Sequence, residues 1–373
     1  MSDISGQPKA ETAAQTQVKK PLSRRFEGIN IFFILLGFIA VIVCLQLIQS
    51  ASAGNITYPR FVSPVNLLNI LMQNSIPGIL AVGMTLIIIS GCIDLSVGML
   101  SSLIAIFLAL GISRWQIPLY TAIFLSIALA VVLEGILGFI ISRTNVEPFI
   151  ITLGGMISFQ GVALLLCGSR EVTLNRQLDF LKVNLLAGGP DTPSMRCPVT
   201  GLTLNFPPYV IIFLVIVVIF WALLKYTKFG RRVYAVGNNP QAAYLSGINV
   251  KNMKLAVFLI NGLLVGIGAV LLLSRINVGN ITVGQNLEID AIAMVVIGGA
   301  AMGGGKGNMW GTFFGVLLLG SIGNAMNMLG FPSEVQFVAR GLIIIVSVTI
   351  AALSGHTKIK ERLRSIFKRG VDA

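Results

Sequence analysis

The chain has 373 residues, 55% hydrophobic and only 11% charged, with a mean hydropathy of +0.87. A soluble domain carries about 25% charge, so a soluble enzyme, a disordered chain and a disulfide-built secreted domain are excluded. Apolar runs of roughly 20 residues, enough to span ~30 Å of hydrocarbon, point to an all-α, polytopic membrane protein.

The net charge of +13 does not indicate nucleic acid. Of 27 Lys and Arg, 17 fall in residues 1–28, 225–254 and 358–369. These stretches read as cytoplasmic flanks facing the anionic lipid of the inner leaflet. Residues 1–28 are polar, without a hydrophobic period, and are expected to form a cytoplasmic tail. The run 29–48 follows. Ala51-Ser52-Ala53 has the form of a cleavage site, but the polar lead is long and the run exceeds a signal core, so an uncleaved span is expected.

Nine more spans are predicted near 70–90, 96–112, 118–141, 149–167, 208–224, 255–273, 288–303, 308–329 and 335–353, giving a transmembrane domain over 29–353. With the N-terminus inside, ten spans return the basic tail 354–373 to the inside. The segments then placed inside hold 19 Lys and Arg and those outside hold 7, an asymmetry that supports this orientation.

Between the second and third spans, Ser90-Gly91-Cys92-Ile93-Asp94-Leu95-Ser96 reads as a break. One helix ends at Gly91 and the next starts near Asp94, whose carboxylate can cap it. Asp290 is read as a second helix-break or capping acid. Charged residues at membrane depth are functional candidates by default, which adds Glu134, Glu288 and Arg340; Arg340 is open as a partner of Glu134 or of Asp290. Cys44 and Cys92 read as packing residues. Cys167 and Cys197 bracket the Pro-rich, largely irregular outside loop 168–207, where an oxidising exterior permits a disulfide. Gly262, Gly266 and Ala269, and Gly298 with Ala301, have helix-packing spacing.

Catalytic chemistry is missing. The single histidine, His356, lies in the C-terminal tail. There is no His/Cys metal spacing and no Ser-His-Asp set. The Gly-rich stretch 298–307 fails as a phosphate loop, because that pattern needs Gly at 300 and a hydroxyl at 307, where the chain has Ala300 and Gly307. No metal site and no cofactor are expected, and the chain is not expected to hydrolyse ATP by itself.

The inside loop 225–254 carries a short helix signal. Asn239 can cap and Pro240 suits the first helical position. Gln241, Ala242, Ala243, Tyr244, Leu245 and Ser246 continue the helix, and Gly247 can end it in a left-handed conformation. Two turns cannot stand alone, so this helix is expected to pack on something. Tyr244 and Leu245 project from a low surface that suits another protein's groove; a helix resting on the membrane is the alternative.

Three motifs carry a family resemblance. They are Ala81-Val82-Gly83-Met84-Thr85 leading to Gly91-Cys92-Ile93-Asp94-Leu95-Ser96-Val97-Gly98; Gly230-Arg231-Arg232 through Ala235–Ala243 to Ser246-Gly247-Ile248; and Asp290-Ala291-Ile292-Ala293 through Val296–Gly299 to Gly303–Gly307. Over about 60–353 the sequence resembles the membrane subunits of ribose-type importers of the ATP-binding-cassette class. The resemblance implies ten spans in possible inverted repeats of the type II kind, with Ile93-Asp94 and Ile289-Asp290 as corresponding points. It implies a second permease subunit, two cytoplasmic ATPases and an external sugar-binding protein, with 239–248 as the helix that sits on the ATPase. The alternatives are a permease for branched-chain amino acids or another small polar solute, and an ion-coupled secondary transporter. Asn261, Asn280, Gln285, Asn324 and Asn327 are candidates to line a substrate path.

Overall fold

The computed structural model describes residues 34–44, 60–144, 146–183, 185 and 206–354. The tail 1–28, the Ala51-Ser52-Ala53 segment, Cys197, His356 and nearly all of the tail 354–373 lie outside the described residues. The helices are α1 (Ile34–Cys44), α2 (Pro64–Ile89), α3 (Val97–Ser113), α4 (Leu119–Arg143), α5 (Pro148–Cys167), α6 (Pro208–Tyr226), α7 (Lys228–Asn238), α8 (Pro240–Leu245), α9 (Val250–Ile276), α10 (Leu287–Ile297), α11 (Met309–Met328) and α12 (Ser333–Ser354). Two short strands, β1 (Val172–Thr173) and β2 (Val278–Gly279), pair antiparallel.

Six of these helices, α2, α4, α5, α6, α9 and α11, are long and apolar enough to cross a membrane. Local chemistry sets where they begin. Ser63 accepts the Asn66 N–H and Pro64 follows it; Pro148 and Pro208 stand in the first turns of α5 and α6; Asn249 accepts the Asn252 N–H, and Asn308 the Trp310 N–H. Each side-chain cap satisfies one donor that a helix start leaves unpaired.

The layering follows burial. In the apolar window of α2, 78% of residues are buried, and in that of α9, 67%, against 28% in α4 and 22% in α5. α2 and α9 therefore form the centre, while α4 and α5 form an outer wall from which Phe124, Ile136, Ile157 and Leu165 project. Apolar side chains on such a wall belong against lipid.

The most extensive helix pair is α4 along α9. A Cβ on Gly262 would lie 2.8 Å from the Ala130 carbonyl oxygen, and one on Gly266 3.0 Å from Ile127 Cα. The small stripe expected on this helix thus lets two backbones meet, which is how apolar helices associate without a hydrophobic driving force.

One expectation needs correction. The predicted span 288–303 stops as α10 at Ile297. Gly298 is its C-cap, and its backbone is pressed against Gly311 and Thr312 at the start of α11, so Gly298 and Ala301 do not share a helix. Hydropathy overran because Gly and Ala continue the apolar run without continuing the helix. The start of the segment 168–207 carries β1 and a 3-10 turn at Asp179–Leu181. There the Lys182 ammonium, 2.8 Å from Asp179, holds that carboxyl below its usual range. Finally, α7 was not anticipated.

Gly262→Val should lower stability by about 1–3 kcal/mol through overpacking, read as a lower unfolding midpoint in detergent. Gly154→Val, on the α5 face where a Cβ meets nothing within 4 Å, should leave the midpoint unchanged. Equal midpoints for the two variants would contradict the α4–α9 contact.

Candidate functional site

The basic segment 227–248 folds as two helices joined by a single residue, Asn239. Thr227 caps α7 by accepting the Gly230 N–H at 3.1 Å. Asn239 ends α7 and starts α8, its Oδ1 accepting the Ala242 N–H at 3.0 Å. Gly247 closes α8 at φ +78, and Ile248 donates its N–H to the Ala243 carbonyl at 3.0 Å. Ala243 is buried, whereas Tyr244 and Leu245 are 71% and 85% exposed. Pro240, Gln241, Ala242 and Ser246 are also exposed. Only the underside of α8 is held by its own chain.

The buried face of α7 is Gly230, Val233, Val236 and Gly237. At Gly237 the backbone meets two other breaks: a Cβ there would strike the Ile89 carbonyl oxygen and lie 2.7 Å from the Gly305 nitrogen. Gly305 donates its N–H to that same Ile89 carbonyl at 2.9 Å, and the Tyr234 hydroxyl donates to the Gly307 carbonyl at 2.8 Å. The end of α2, the α10–α11 loop and α7 therefore interlock, main chain on main chain. The three glycine-bearing motifs of the sequence come together here.

Beyond the α2 end, Asp94 is fully buried. Its Oδ1 accepts from the Ser96 N–H at 2.9 Å and the Ser96 hydroxyl at 2.7 Å, and its Oδ2 from Asn261 Nδ2 at 2.9 Å. Ser96 is the N-cap of α3, so Asp94 steadies the helix entry from two residues outside it. The Ser96 hydroxyl also lies 3.4 Å from Glu134, which is equally buried. These groups tie α3, α4 and α9 together.

A cavity of about 220 Å³ opens among α2, α9, α10, α11 and α12. Gln73, Asn74, Asn324 and Asn327 supply amides, and Arg340 meets Asp290 across it at 3.3 Å. Arg340 is thus the partner of Asp290, and Glu134 belongs to the Asp94 cluster. Asp290 stands in the first turn of α10, whose N-cap is Asn286, and its carboxylate is engaged by Arg340. Of the five candidate amides, Asn324 and Asn327 line the cavity. Asn261 binds Asp94, Asn280 binds Glu171, and Gln285 is exposed on the β2–α10 connection. Gln73, Asn74 and Arg275 were missed; two adjacent amides in an apolar span four residues before Pro77 were the available signal. Cys167 is buried and its proposed partner Cys197 is outside the described residues. Among the described residues, no group of His, Cys, Asp and Glu is placed to hold a metal ion.

Residues 66–348 match the family described as branched-chain amino acid transport system / permease component. The chain belongs to this family. It is 34% identical over 323 residues to the ribose import permease protein RbsC of Haemophilus influenzae, covering 86% of this chain and 94% of that protein. The xylose transport system permease protein XylH of the same organism is 33% identical, covering 84% and 94%. The probable ABC transporter permease protein YphD of Escherichia coli is 36% identical, covering 84% and 88%. No solved structure matches.

In this permease, α2, α10 and α11 each run from the cavity at one end to the interlock at the other. The Arg340–Asp290 pair is partly exposed, at 40% and 20% of the two side chains, so its strength is that of a screened pair, about 1 kcal/mol. A double-mutant cycle with Asp290→Asn and Arg340→Gln should return a coupling near that value in thermal unfolding. Zero coupling would show that the two groups do not meet.

Proposed function

We propose that this chain is the membrane translocation subunit of an ATP-binding-cassette importer for a monosaccharide of the ribose or xylose kind. ATP is bound and hydrolysed by two partner ATPase subunits, and the sugar is delivered by an external binding protein. The chain works with a second permease, identical or paralogous, in a prokaryotic cytoplasmic membrane. Family membership and the ribose and xylose permeases among its relatives support the solute class.

The observation that carries the coupling role is α8. It is a six-residue helix capped at both ends, anchored by Ala243 and presenting Tyr244 and Leu245 to the exterior. An isolated two-turn helix does not hold its shape in water. The capping and the anchor make it a rigid knob, suited to a groove on a partner. Asn239–Gly247 is accordingly the segment that sits on the ATPase. The interlock beneath it passes movement of the knob to α2, α10 and α11, and so to the cavity.

The cavity is smaller than the roughly 300–1,000 Å³ that holds drug-sized ligands, which suits one small polar solute. Amides and an ion pair offer donors and acceptors to sugar hydroxyls, and Asn324 and Asn327 are the path residues of the reading. The family description names branched-chain amino acids, but an aliphatic side chain would find a lining dominated by amides and charges. We also place ten spans with both termini on the α7–α8 side. The short α3 and α10 and the long α12 join the six longer helices and α1, and inverted halves correspond at Asp94 and Asp290. The concentration of Lys and Arg in the loop 225–254 and the two tails supports this orientation.

Ala243→Arg puts a long cation where Ala243 is buried beneath the knob. Burying an unpaired charge costs several kcal/mol, so α8 should be displaced. Co-purification with the ATPase and sugar uptake should both fall at least tenfold, while the yield of monodisperse permease is unchanged because α8 lies outside the apolar bundle. Normal uptake with a normal complex would refute the coupling role; loss of the permease itself would make the segment a structural one.

A further inference from the structure

One charged surface is not used by this reading. Lys228, Arg231 and Arg232, with Ile248, line an open depression of about 400 Å³ at the outer face of α7. All three cations are exposed, and none forms an ion pair with an acid among the described residues. The Arg231 guanidinium makes one hydrogen bond, to the Tyr226 carbonyl at 3.4 Å. Four of its five N–H donors are therefore left for a ligand. The whole stretch 225–254 contains six Lys and Arg and no Asp or Glu, so no acid of that stretch answers them.

The depression sits at the foot of an apolar track. Ile211, Val215, Val218 and Ile219 project from one face of α6 at helical spacing. Just below them Trp221 packs on Tyr226 and on Trp310, with ring centroids 5.6 and 6.0 Å apart, and Lys225 Nζ lies 5.0 Å from the Trp221 ring centre. Trp and Tyr gathered at the end of an apolar helix mark headgroup level. Immediately past them the chain turns into α7, whose apolar side is buried and whose cations face outward. In chain order α6 and α7 thus give an exposed apolar helix face, an aromatic pair and then exposed cations, two of them guanidinium groups of the kind that pair with phosphate.

We infer that Lys228, Arg231 and Arg232 form a binding site for the phosphodiester headgroup of an anionic phospholipid whose acyl chains lie along α6. The site is distinct from the projecting face of α8, which is uncharged at Tyr244 and Leu245, and it does not depend on which solute is carried. Neither an acidic protein surface nor a free phosphate ion brings acyl chains to the apolar face of α6, whereas a phospholipid joins both features in one ligand. Bound lipid would fix α7 against α6 and brace the interlock that Gly237 and Tyr234 make beneath it.

The test is native mass spectrometry of the full-length permease released from neutral detergent, with added phosphatidylglycerol, phosphatidylcholine or inorganic phosphate. The unsubstituted chain should retain phosphatidylglycerol in preference to phosphatidylcholine. The variant Lys228→Gln, Arg231→Gln, Arg232→Gln should lose at least about tenfold of that preference, given the attraction each surface cation contributes. Lys251→Gln with Lys254→Gln should keep it. If the triple variant is not monodisperse, Arg231→Gln alone carries the comparison. An unchanged preference in the charge-removed protein overturns the proposal, as does an equal loss in the Lys251/Lys254 control, which would show diffuse attraction. Displacement of lipid by millimolar inorganic phosphate would assign the cluster to a free anion. Loss of ATPase co-purification with lipid retention intact would assign it to an acidic protein surface. Either result overturns the lipid site.

Discussion

A helix end leaves four carbonyl groups without partners inside the helix, and away from water each unpaired group costs as much as a lost hydrogen bond or more. In the last turn of α2 the Leu86, Ile87 and Ile88 carbonyls accept from Ser90, Cys92 and Gly91 of the turn that follows, and the Ile89 carbonyl from another segment's backbone: it accepts the Gly305 N–H, and Gly237 lies against the same oxygen. Such an approach needs residues without a Cβ on both sides. At Gly304 the φ of +81 adds a second requirement, a left-handed conformation, in the same few ångströms. The end of α2, α7 and the α10–α11 loop therefore meet at one carbonyl, that of Ile89.

That junction gives the permease its long-range order. α2 carries Gln73 and Asn74 in the cavity and Ile89 in the interlock; α10 carries Asp290 and Met294 and then leads into the glycine loop; α11 leaves that loop and ends beside Asn324 and Asn327. Three rigid rods thus share both ends. In the proposed coupling, displacing the knob at α8 would shift α7, whose buried glycine face lies against the Ile89 carbonyl and Gly305, and the rods would carry the shift to the amide-lined cavity. Packed backbones of this kind respond as discrete arrangements rather than by continuous deformation.

The sequence was most readable where a single physical term dominates. Hydropathy places α4, α5, α6 and α11 within about two residues of their observed bounds and starts α2 and α9 late, at 70 and 255 against Pro64 and Val250, where capping and not hydropathy begins the helix, and Asn239-Pro240 announces α8 because capping is local. It failed where two terms compete. α10 ends at Ile297 although the apolar run goes on, since Gly298-Gly299 continues hydropathy while abandoning the helix. α7 was invisible because a helix with Lys228, Arg231 and Arg232 on one side resembles a basic loop until its apolar side, Val233 and Val236, is known to be covered. Partner choice was the least legible. Arg340 could have matched Glu134 or Asp290, and Asn261 looked no different from Asn324, yet one anchors Asp94 and the other lines the cavity. Amide partners 167 positions apart, as in the Asn261–Asp94 bond, leave no local trace.

The central claim is that the interlock transmits work from the ATPase side to the cavity. Its most direct test is the number of sugar molecules taken up per ATP hydrolysed, measured in proteoliposomes holding the complete transporter. The comparison is Gly237→Ala, whose added methyl strikes the Ile89 carbonyl, against the unsubstituted protein. The account predicts a complex that assembles and still hydrolyses ATP while the ratio falls at least tenfold, because α8 remains docked but no longer drives α2. An unchanged ratio in an assembled complex, with Gly237 filled, would contradict it.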